Sequence, residues 1–319
     1  MESRKLGRNG LKVSALSFGS WITFGNQLDI RKALDCMSAA HESGVNFFDN
    51  AEVYAGGKSE EVMGQVLRKL DWPRLSYIVS TKFFWGIVDG PNTRNTLNRK
   101  YLMNAINGSL KRLQLDHVDL VYCHRADPET PMEEVVWAMN DMISTGKALY
   151  WGTSEWSAAQ ILEAFEVCER LGLRKPVVEQ PQYNLFAREK VEKEFAPIYE
   201  KTGIGLTTWS PLASGILTGK YINGVPEGSR LSQANLSWLR EEALAPDRMN
   251  KVIHFSNLAK ELHSTPGQLA IAWCLKNPRV SSVITGASHP EQVTENMKAF
   301  ALYQRLDQSA YSAIEKIFG

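Results

Sequence analysis

Asp49 closes the apolar run at residues 45–49, and Tyr54 follows it by five positions. Lys82 closes the run that begins at Ile78, and His124 comes directly after the run that ends at Cys123. Asp, Tyr, Lys and His brought together make a general acid. A phenol with its ordinary pKa of about 10 is a poor proton donor near neutrality, and an adjacent ammonium is expected to lower that value by favouring the phenolate. Asp49 would keep Lys82 charged and aimed, while His124 would orient a carbonyl oxygen beside the Tyr54 hydroxyl. Any one of these residues alone reads as a salt bridge or a cap; four of compatible chemistry at strand ends read as a site that protonates a carbonyl oxygen.

Putting such residues on one rim requires parallel strands whose C-terminal ends converge. Residues 15–18, 45–49, 78–81, 118–123, 148–152, 177–179, 205–209 and 280–285 read as eight strands, separated by segments of helical period. Asp29 caps a helix whose Ile30, Ala33, Leu34 and Met37 fall on one face, and Ser59 opens another with Val62, Met63, Val66, Leu67 and Leu70. Helices follow at 99–113, after a capping box of Thr130 with Glu133 and Pro131 at its first position, and after a second box of Ser157 with Gln160. Further helices are expected near 189–201 and 247–262, and a last one at 307–318 is expected to pack across the barrel.

Eight strands, each leading to a helix, predict an α/β fold, a (β/α)₈ TIM barrel with a C-terminal helix. No Pro/Gly/Ser-rich linker divides the chain, so 1–319 reads as a single barrel domain. The exception to short loops is residues 210–246 after the seventh strand, a length that suits a lid or binding element. An open doubly wound sheet would want Gly-x-Gly-x-x-Gly after the first strand, and that fingerprint is absent.

Composition narrows the function classes. Thirty-six Lys and Arg against 35 Asp and Glu give a formal charge of +1, which provides no field for nucleic acid or acidic lipid. The start, Met1-Glu2-Ser3-Arg4-Lys5, has no apolar stretch behind it, and no run approaches the ~18 apolar residues of a membrane span. A cytoplasmic chain without membrane insertion is expected. Cys36, Cys123, Cys168 and Cys274 are far apart, so neither a disulfide scaffold nor a metal site is encoded, and a metal-dependent barrel hydrolase lacks its ligands. The sequons at Asn107 and Asn235 then carry no glycosylation meaning.

A cofactor signal stands on the opposite side of the predicted rim. The eighth strand ends in Gly286-Ala287-Ser288, where Ser288 is expected to cap a helix with Glu291 at its third position. A flexible turn into a helix N-terminus after strand eight is where barrels bind phosphate, and Lys220 and Arg230 in the long loop add positive charge. Trp21, Trp85 and Trp209 occupy loop positions that suit a substrate wall and a ring stacked on a flat cofactor. Other glycine motifs fail. Gly203-Ile204-Gly205 precedes a strand and has Thr208 at the third position, Gly57-Lys58-Ser59 has Glu52 where its first glycine belongs, and Gly219-Lys220 has Ser214 where its first glycine belongs and Tyr221 after the lysine.

At these residues the chain resembles the aldo-keto reductases over nearly its whole length. The carrying motifs are Asn46-Phe47-Phe48-Asp49-Asn50-Ala51-Glu52-Val53-Tyr54, Ser80-Thr81-Lys82, and Ser109-Leu110-Lys111-Arg112-Leu113 ahead of Asp119 and His124. Trp151-Gly152-Thr153-Ser154, the stretch from Thr208 to Gly215, and Gly286-Ala287-Ser288 with Glu295-Asn296 resemble the branch that contains β subunits of voltage-gated potassium channels.

The resemblance implies a (β/α)₈ fold, NADP(H) as cofactor, and carbonyl reduction. It matches Asp49, Tyr54, Lys82 and His124 to the catalytic tetrad, with Tyr54 as proton donor and Trp21, Trp85 and His124 toward the substrate. Nucleotide-contacting positions fall on Ser20, Trp21, Gln27, Asp49, Ser154, Gln180, Trp209, Ser210, Pro211, Leu212, Ser214, Lys220, Arg230, Gly286, Ser288, Gln292, Glu295 and Asn296. Two residues depart from the branch. Its animal channel subunits commonly carry Asn where this chain has His124, which favours a competent reductase; they carry Arg where this chain has Glu155, which leaves one cofactor contact open. A long N-terminal extension of the kind that plugs a channel pore is not expected. The branch implies a second reading, a homotetrameric regulatory subunit that docks on a channel's cytoplasmic domain and uses bound NADP(H) as a redox sensor.

Overall fold

The computed structural model of the chain describes residues 1–21, 23–25, 29–227, 229–232, 240 and 243–319, the side chain of Arg230 excepted. The chain opens with a hairpin that the sequence did not announce, β1 (Ser3–Lys5) paired antiparallel with β2 (Lys12–Ser14). Eight parallel strands then close into a barrel in chain order: β3 (Leu16–Gly19), β4 (Phe47–Asp49), β5 (Ile78–Phe83), β6 (Val118–Cys123), β7 (Ala148–Thr153), β8 (Val178–Glu179), β9 (Gly205–Thr208) and β10 (Val280–Thr285), which returns to pair with β3. The expected (β/α)₈ barrel is therefore the fold, with strand ends shifted by one or two residues. The extension of β5 to Phe83 matters, because it puts Lys82 inside a strand.

Alternation along these strands explains how an apolar barrel carries a polar rim. Phe47, Ile78, Leu120 and Tyr122 turn inward and pack with Leu6, Val13 and Val178, so the hairpin forms the floor of the barrel. Each buried aliphatic or aromatic side chain there contributes about 1.5–3 kcal/mol. The intervening residues Phe48, Val79 and Val121 turn outward into the larger core beneath the helices. Two residues beyond each inward apolar position, on the same face, come Asp49, Ser80 and then Lys82, and His124 after Tyr122. The floor fits closely: a Cβ on Gly7, at φ +60°, would lie 2.3 Å from the Gly203 carbonyl oxygen, so only glycine lets the hairpin turn press under β9.

The outer helices are α1 (Ile30–Glu42), α2 (Lys58–Leu70), α3 (Arg99–Leu113), α4 (Met132–Ser144), α5 (Ala158–Leu171), α6 (Tyr199–Thr202), α7 (Pro246–Glu261), α8 (Pro266–Leu275), α9 (Pro290–Met297), α10 (Ala299–Arg305) and α11 (Gln308–Phe318). Asp29 caps α1 by accepting from Lys32 N, and Ser157 with Gln160 forms the reciprocal box of α5. The box expected at Thr130 does not form. Thr130 Oγ1 donates instead to Asp127 Oδ2 at 2.6 Å, and Pro131 takes the cap position of α4. Asp127 wins that hydroxyl because it already collects Leu97 N, Thr96 Oγ1 and Glu129 N.

Three further departures concern the second half of the chain. The helix expected at 189–201 is a π-helical stretch, Lys190–Glu194, followed by the short α6. An unanticipated helix, α8, carries its own Thr265/Gln268 box and buries Leu269 through Leu275 without a polar face. Finally, α11 packs along α7 and not across the barrel, with the Phe318 ring 5.4 Å from Phe255 and 5.2 Å from Phe186. The four cysteines are free and buried. Among the described residues no helix is long and apolar enough to cross a membrane, and no cluster of His, Cys, Asp and Glu could hold a metal ion.

Candidate active site

The C-terminal rim of β4, β5 and β6 brings the four sequence-predicted residues together. Lys82 Nζ donates to Asp49 Oδ2 at 2.6 Å, to Asn50 O at 2.8 Å and to the Tyr54 hydroxyl at 3.2 Å, so all three ammonium protons are used. Asp49 Oδ1 accepts from Ser80 Oγ at 2.7 Å and from Gln180 Nε2 at 3.1 Å across the barrel. Lys82 is 1% exposed, Asp49 3% and His124 5%, so this is a buried charge pair whose remaining hydrogen-bonding capacity is filled.

Burial shapes the proton affinities more than the sequence suggested. It disfavours the Lys82 ammonium, but the carboxylate of Asp49 and the Tyr54 oxygen outweigh it and raise the lysine above its ordinary value. The Tyr54 phenol is also pushed up, first by burial, with Lys82 pulling the other way. The expectation of a lowered phenol is corrected here: Asp49 neutralises much of the Lys82 charge, while a phenolate would form in the same desolvated place. His124 is held well below its usual value by burial, then by Lys82 and the Arg125 guanidinium, so its imidazole is neutral near pH 7. Its Nδ1 is buried without a hydrogen-bond partner among the described residues. Its ring meets Tyr54 at 5.8 Å and Trp85 at 4.4 Å.

A second buried network, not singled out in the sequence, fixes the Tyr54 loop. Tyr54 begins a turn in which Ala55, Gly56 and Gly57 all have left-handed φ values, of 51°, 62° and 94°, before α2 starts. Just upstream, Glu52 accepts from the Tyr101 hydroxyl of α3, and Arg112 of the same helix lies 3.6 Å from it. Arg112 Nε also donates to Glu60 Oε2 at 2.7 Å, and Glu60, fully buried in α2, accepts from Thr81 Oγ1 beside Lys82. The signal for this was present as Glu60 on the apolar face of α2, but its partners are remote in sequence.

One cavity of about 490 Å³ opens over both sides of the rim. Trp21, Asp49, Tyr54, Trp85, His124 and Arg125 line one part of it. The sequence-predicted Ser154, Gln180, Trp209, Ser210, Pro211, Leu212, Ser214, Lys220, Gly286, Ser288 and Gln292 line the other part, among further residues that the sequence did not single out, such as Thr23, Thr218 and Ile284. Ser20, Glu295 and Asn296 are outside the lining. Ser20 Oγ bonds the Asp49 carbonyl, Glu295 accepts from Gln268 Nε2 and Lys298 Nζ, and Asn296 Nδ2 donates to Gly286 O, which steadies the turn. Gln27 falls outside the described residues, as does the Arg230 side chain.

Backbone strain concentrates after β9. Ser210, Ala213 and Ser214 take left-handed φ values of 57°, 46° and 59°, next to Gly215 at 91°. A non-glycine residue held there costs on the order of 1 kcal/mol or more, and such turns gather at binding sites. The Lys220 ammonium lies over this turn, 3.1 Å from where a Gly215 Cβ would stand. At the far side, the expected Ser288 cap is corrected: His289 holds the cap position of α9 because Pro290 is its first residue, and Ser288 N instead donates to Gln292 Oε1 at 3.0 Å.

Glu155 is itself held at φ 59°. It accepts from Trp209 Nε1 at 2.9 Å, from Gln182 N at 2.5 Å and from Lys190 Nζ at 2.9 Å, and so anchors the Trp209 ring. Burial pushes its carboxyl up, but Lys190 and these donors together hold it below the usual range. Trp21 stands edge-on to Trp209, with ring centroids 5.9 Å apart.

A profile of the aldo/keto reductase family matches residues 15–318. A protein of Oryza sativa subsp. japonica, named a probable voltage-gated potassium channel subunit beta, is 54% identical over 318 residues, covering 99% of this chain and 96% of the relative. A protein of the same name from Arabidopsis thaliana matches to the same extent. A putative voltage-gated potassium channel subunit beta of Schizosaccharomyces pombe (strain 972 / ATCC 24843) is 47% identical over 319 residues, covering 98% of this chain and 92% of the relative.

Proposed function

The chain belongs to the aldo/keto reductase family, and from that premise we propose that it reduces aldehydes or ketones to alcohols with NADPH, Tyr54 supplying the proton. The observation that carries this reading is the linkage of Asp49 through Lys82 to the Tyr54 hydroxyl, at 2.6 and 3.2 Å, beside a neutral His124 in one cavity.

The donor set fits the cofactor: a lysine over a strained turn, a serine ahead of a helix start and an anchored indole share that cavity. Lys220, Ser288 and Gln292, together with Arg230, would hold its phosphates, and Ser154, Gln180, Trp209, Ser210 and Ser214 the remainder. When bound, NADPH supplies the hydride.

The chain's own residues handle the proton. A raised pKa keeps Tyr54 protonated through physiological pH, so the acid form is resident. An alkoxide is a stronger base than a phenolate, so donation from Tyr54 to the carbonyl oxygen runs downhill as negative charge develops there. Lys82 stabilises the phenolate left behind and cannot drift, because Asp49 and the Asn50 carbonyl hold its other two protons. His124, neutral, does not compete for the proton and offers a ring nitrogen to the same oxygen. Single-turnover oxidation of NADPH with 4-nitrobenzaldehyde, followed by alcohol analysis, tests the reading. Stoichiometric 4-nitrobenzyl alcohol is expected; a panel of aldehydes and ketones that leaves NADPH unoxidised overturns it.

The names of the relatives support a second role, association with a voltage-gated potassium channel; we infer that the chain would do so as a homotetramer docked on the channel's cytoplasmic domain, with bound NADP(H) as redox sensor. That role would put the protein in the cytoplasm, and it is compatible with turnover. Sedimentation across the micromolar range that shows only a monomer removes it.

A further inference from the structure

Arg125 stands in the cavity directly after His124, and nothing in the proton-handling scheme uses it. Its guanidinium lies 4.8 Å over the Trp85 ring, and one of its five N–H groups reaches the His124 carbonyl oxygen. Among the described residues no carboxylate forms an ion pair with it. The other charges near the catalytic linkage cancel. Asp49 is paired with Lys82, and Glu155 with Lys190. Glu179, buried and bonded to Thr153 Oγ1, is raised by burial to about 8 and is mostly protonated at neutral pH, while His124 is neutral. The side of the cavity where the carbonyl would sit therefore carries one forked positive charge with no ion-pair partner of its own among the described residues, the pull of Glu155 reaching it without a direct contact.

That charge is not explained by the cofactor. In the closed strand order β6 lies four strands from β10, diametrically opposite the Gly286–Ser288 turn where the phosphates would bind. Its immediate neighbours, Trp85 and His124, form the carbonyl side. The Trp85 ring under the guanidinium is already in cation–π contact with it and so fixes the direction of its fork.

We propose that Arg125 is a specificity-determining residue, which selects carbonyl substrates that carry an anionic substituent, best matched by a carboxylate. The proposal rests on the reductase reading only for the carbonyl that reacts. Its forked donors would pair bidentately with the carboxylate while the carbonyl meets Tyr54 and His124.

The test compares 4-carboxybenzaldehyde with 4-carbamoylbenzaldehyde, which has nearly the same shape and no charge. Two quantities are read: the ratio of their kcat/KM values with NADPH, and the ratio of their affinities for the NADP⁺-saturated protein, by quenching of tryptophan fluorescence. A charge-assisted pair predicts a preference for the carboxylate of roughly tenfold to a hundredfold in both. Arg125→Gln should bring both ratios near one, and Arg125→Lys should keep a substantial part. A wild-type ratio near one overturns the proposal without any variant, as does an undiminished ratio in folded Arg125→Gln. If neither aldehyde is reduced but the affinity ratio still depends on Arg125, the reductase reading fails and the anion site stands. Brisk turnover of both aldehydes at equal efficiency rejects the anion site alone.

Discussion

At β4 and β5 the charged side chains of the rim are buried and mutually paired, whereas beyond β9 the polar side chains stand on turns near the surface. Asp49, Lys82 and Glu60 each have their hydrogen-bonding capacity met by other protein groups. Lys220 is exposed and Ser288 half-buried, and the turn between them and the barrel is held by left-handed backbone at Ser210, Ala213 and Ser214. The difference follows from what each half must do. A proton donor needs a low-dielectric setting that is finished when the chain folds, while groups that meet a large polar ligand must remain open to water until it arrives. Substitutions in the first half should therefore affect rate and stability, and those in the second should affect affinity.

The largest expected effect breaks the first half alone. Tyr54→Phe removes one hydroxyl and little apolar area, so single-turnover NADPH oxidation should slow by about 10² to 10⁴ while nucleotide affinity and folding barely change. Lys82→Met should be similarly slow. A Tyr54→Phe protein with near wild-type rates would show that the acid is another group, and one that loses NADPH would show that the two halves are not separable.

Next comes Arg112→Met, which strands the fully buried Glu60 carboxylate without its cation and should destabilise the fold by roughly 3–5 kcal/mol in urea. Adding Glu60→Gln should recover part of that loss; if it recovers none, the ion pair is not what holds α2 to α3. Glu179, between the halves at the end of β8, sharpens the comparison through pH. Its folded pKa of about 8 lies above the unfolded value of about 4.3, so folding favours its protonated form. Its contribution is complete below about pH 4.3 and is lost as pH rises towards 8, by up to roughly 1.4 kcal/mol per unit. Urea midpoints at pH 6 and pH 8 should accordingly differ more in the wild type than in Glu179→Gln. The smallest effect belongs to the open half. Lys220→Ala and Arg230→Ala should each weaken NADP(H) by roughly three- to tenfold, more so at low salt, and leave NAD(H) almost unchanged in fluorescence titrations. Equal affinity of the wild-type protein for the two nucleotides would remove the assignment of these residues to the extra phosphate.

Much of the first half was legible in the sequence because its polar residues interrupt apolar runs where strands end, and the barrel order followed from alternation of strand and helix. Features that depend on distant partners were not. α8 is apolar all round because it is buried on every side, so it has no helical period to read. The hairpin strands are three residues each, too short for a pattern. The Thr130 and Ser288 caps failed because Asp127 and Pro290 compete locally in ways that only the folded chain ranks. The direction of the Tyr54 shift depends on burial, and Glu155 serves Trp209 and Lys190, neither of which is near it in sequence.

The hairpin floor has a bearing on the opposite end of the molecule. Leu6 and Val13 seal the barrel axis from below, and Arg4 pins the hairpin to the Leu275 and Val280 carbonyls. In electrical terms the floor is an insulator: the attraction between Asp49 and Lys82, and the field that Lys82 exerts on Tyr54, vary inversely with the permittivity of the space around them. Water admitted along the axis would raise that permittivity and damp the coupling without touching any of the residues that make it. Residues 1–14 thus help to set how tightly Tyr54 keeps its proton, and a leak at the floor would register as a change in acidity at the mouth.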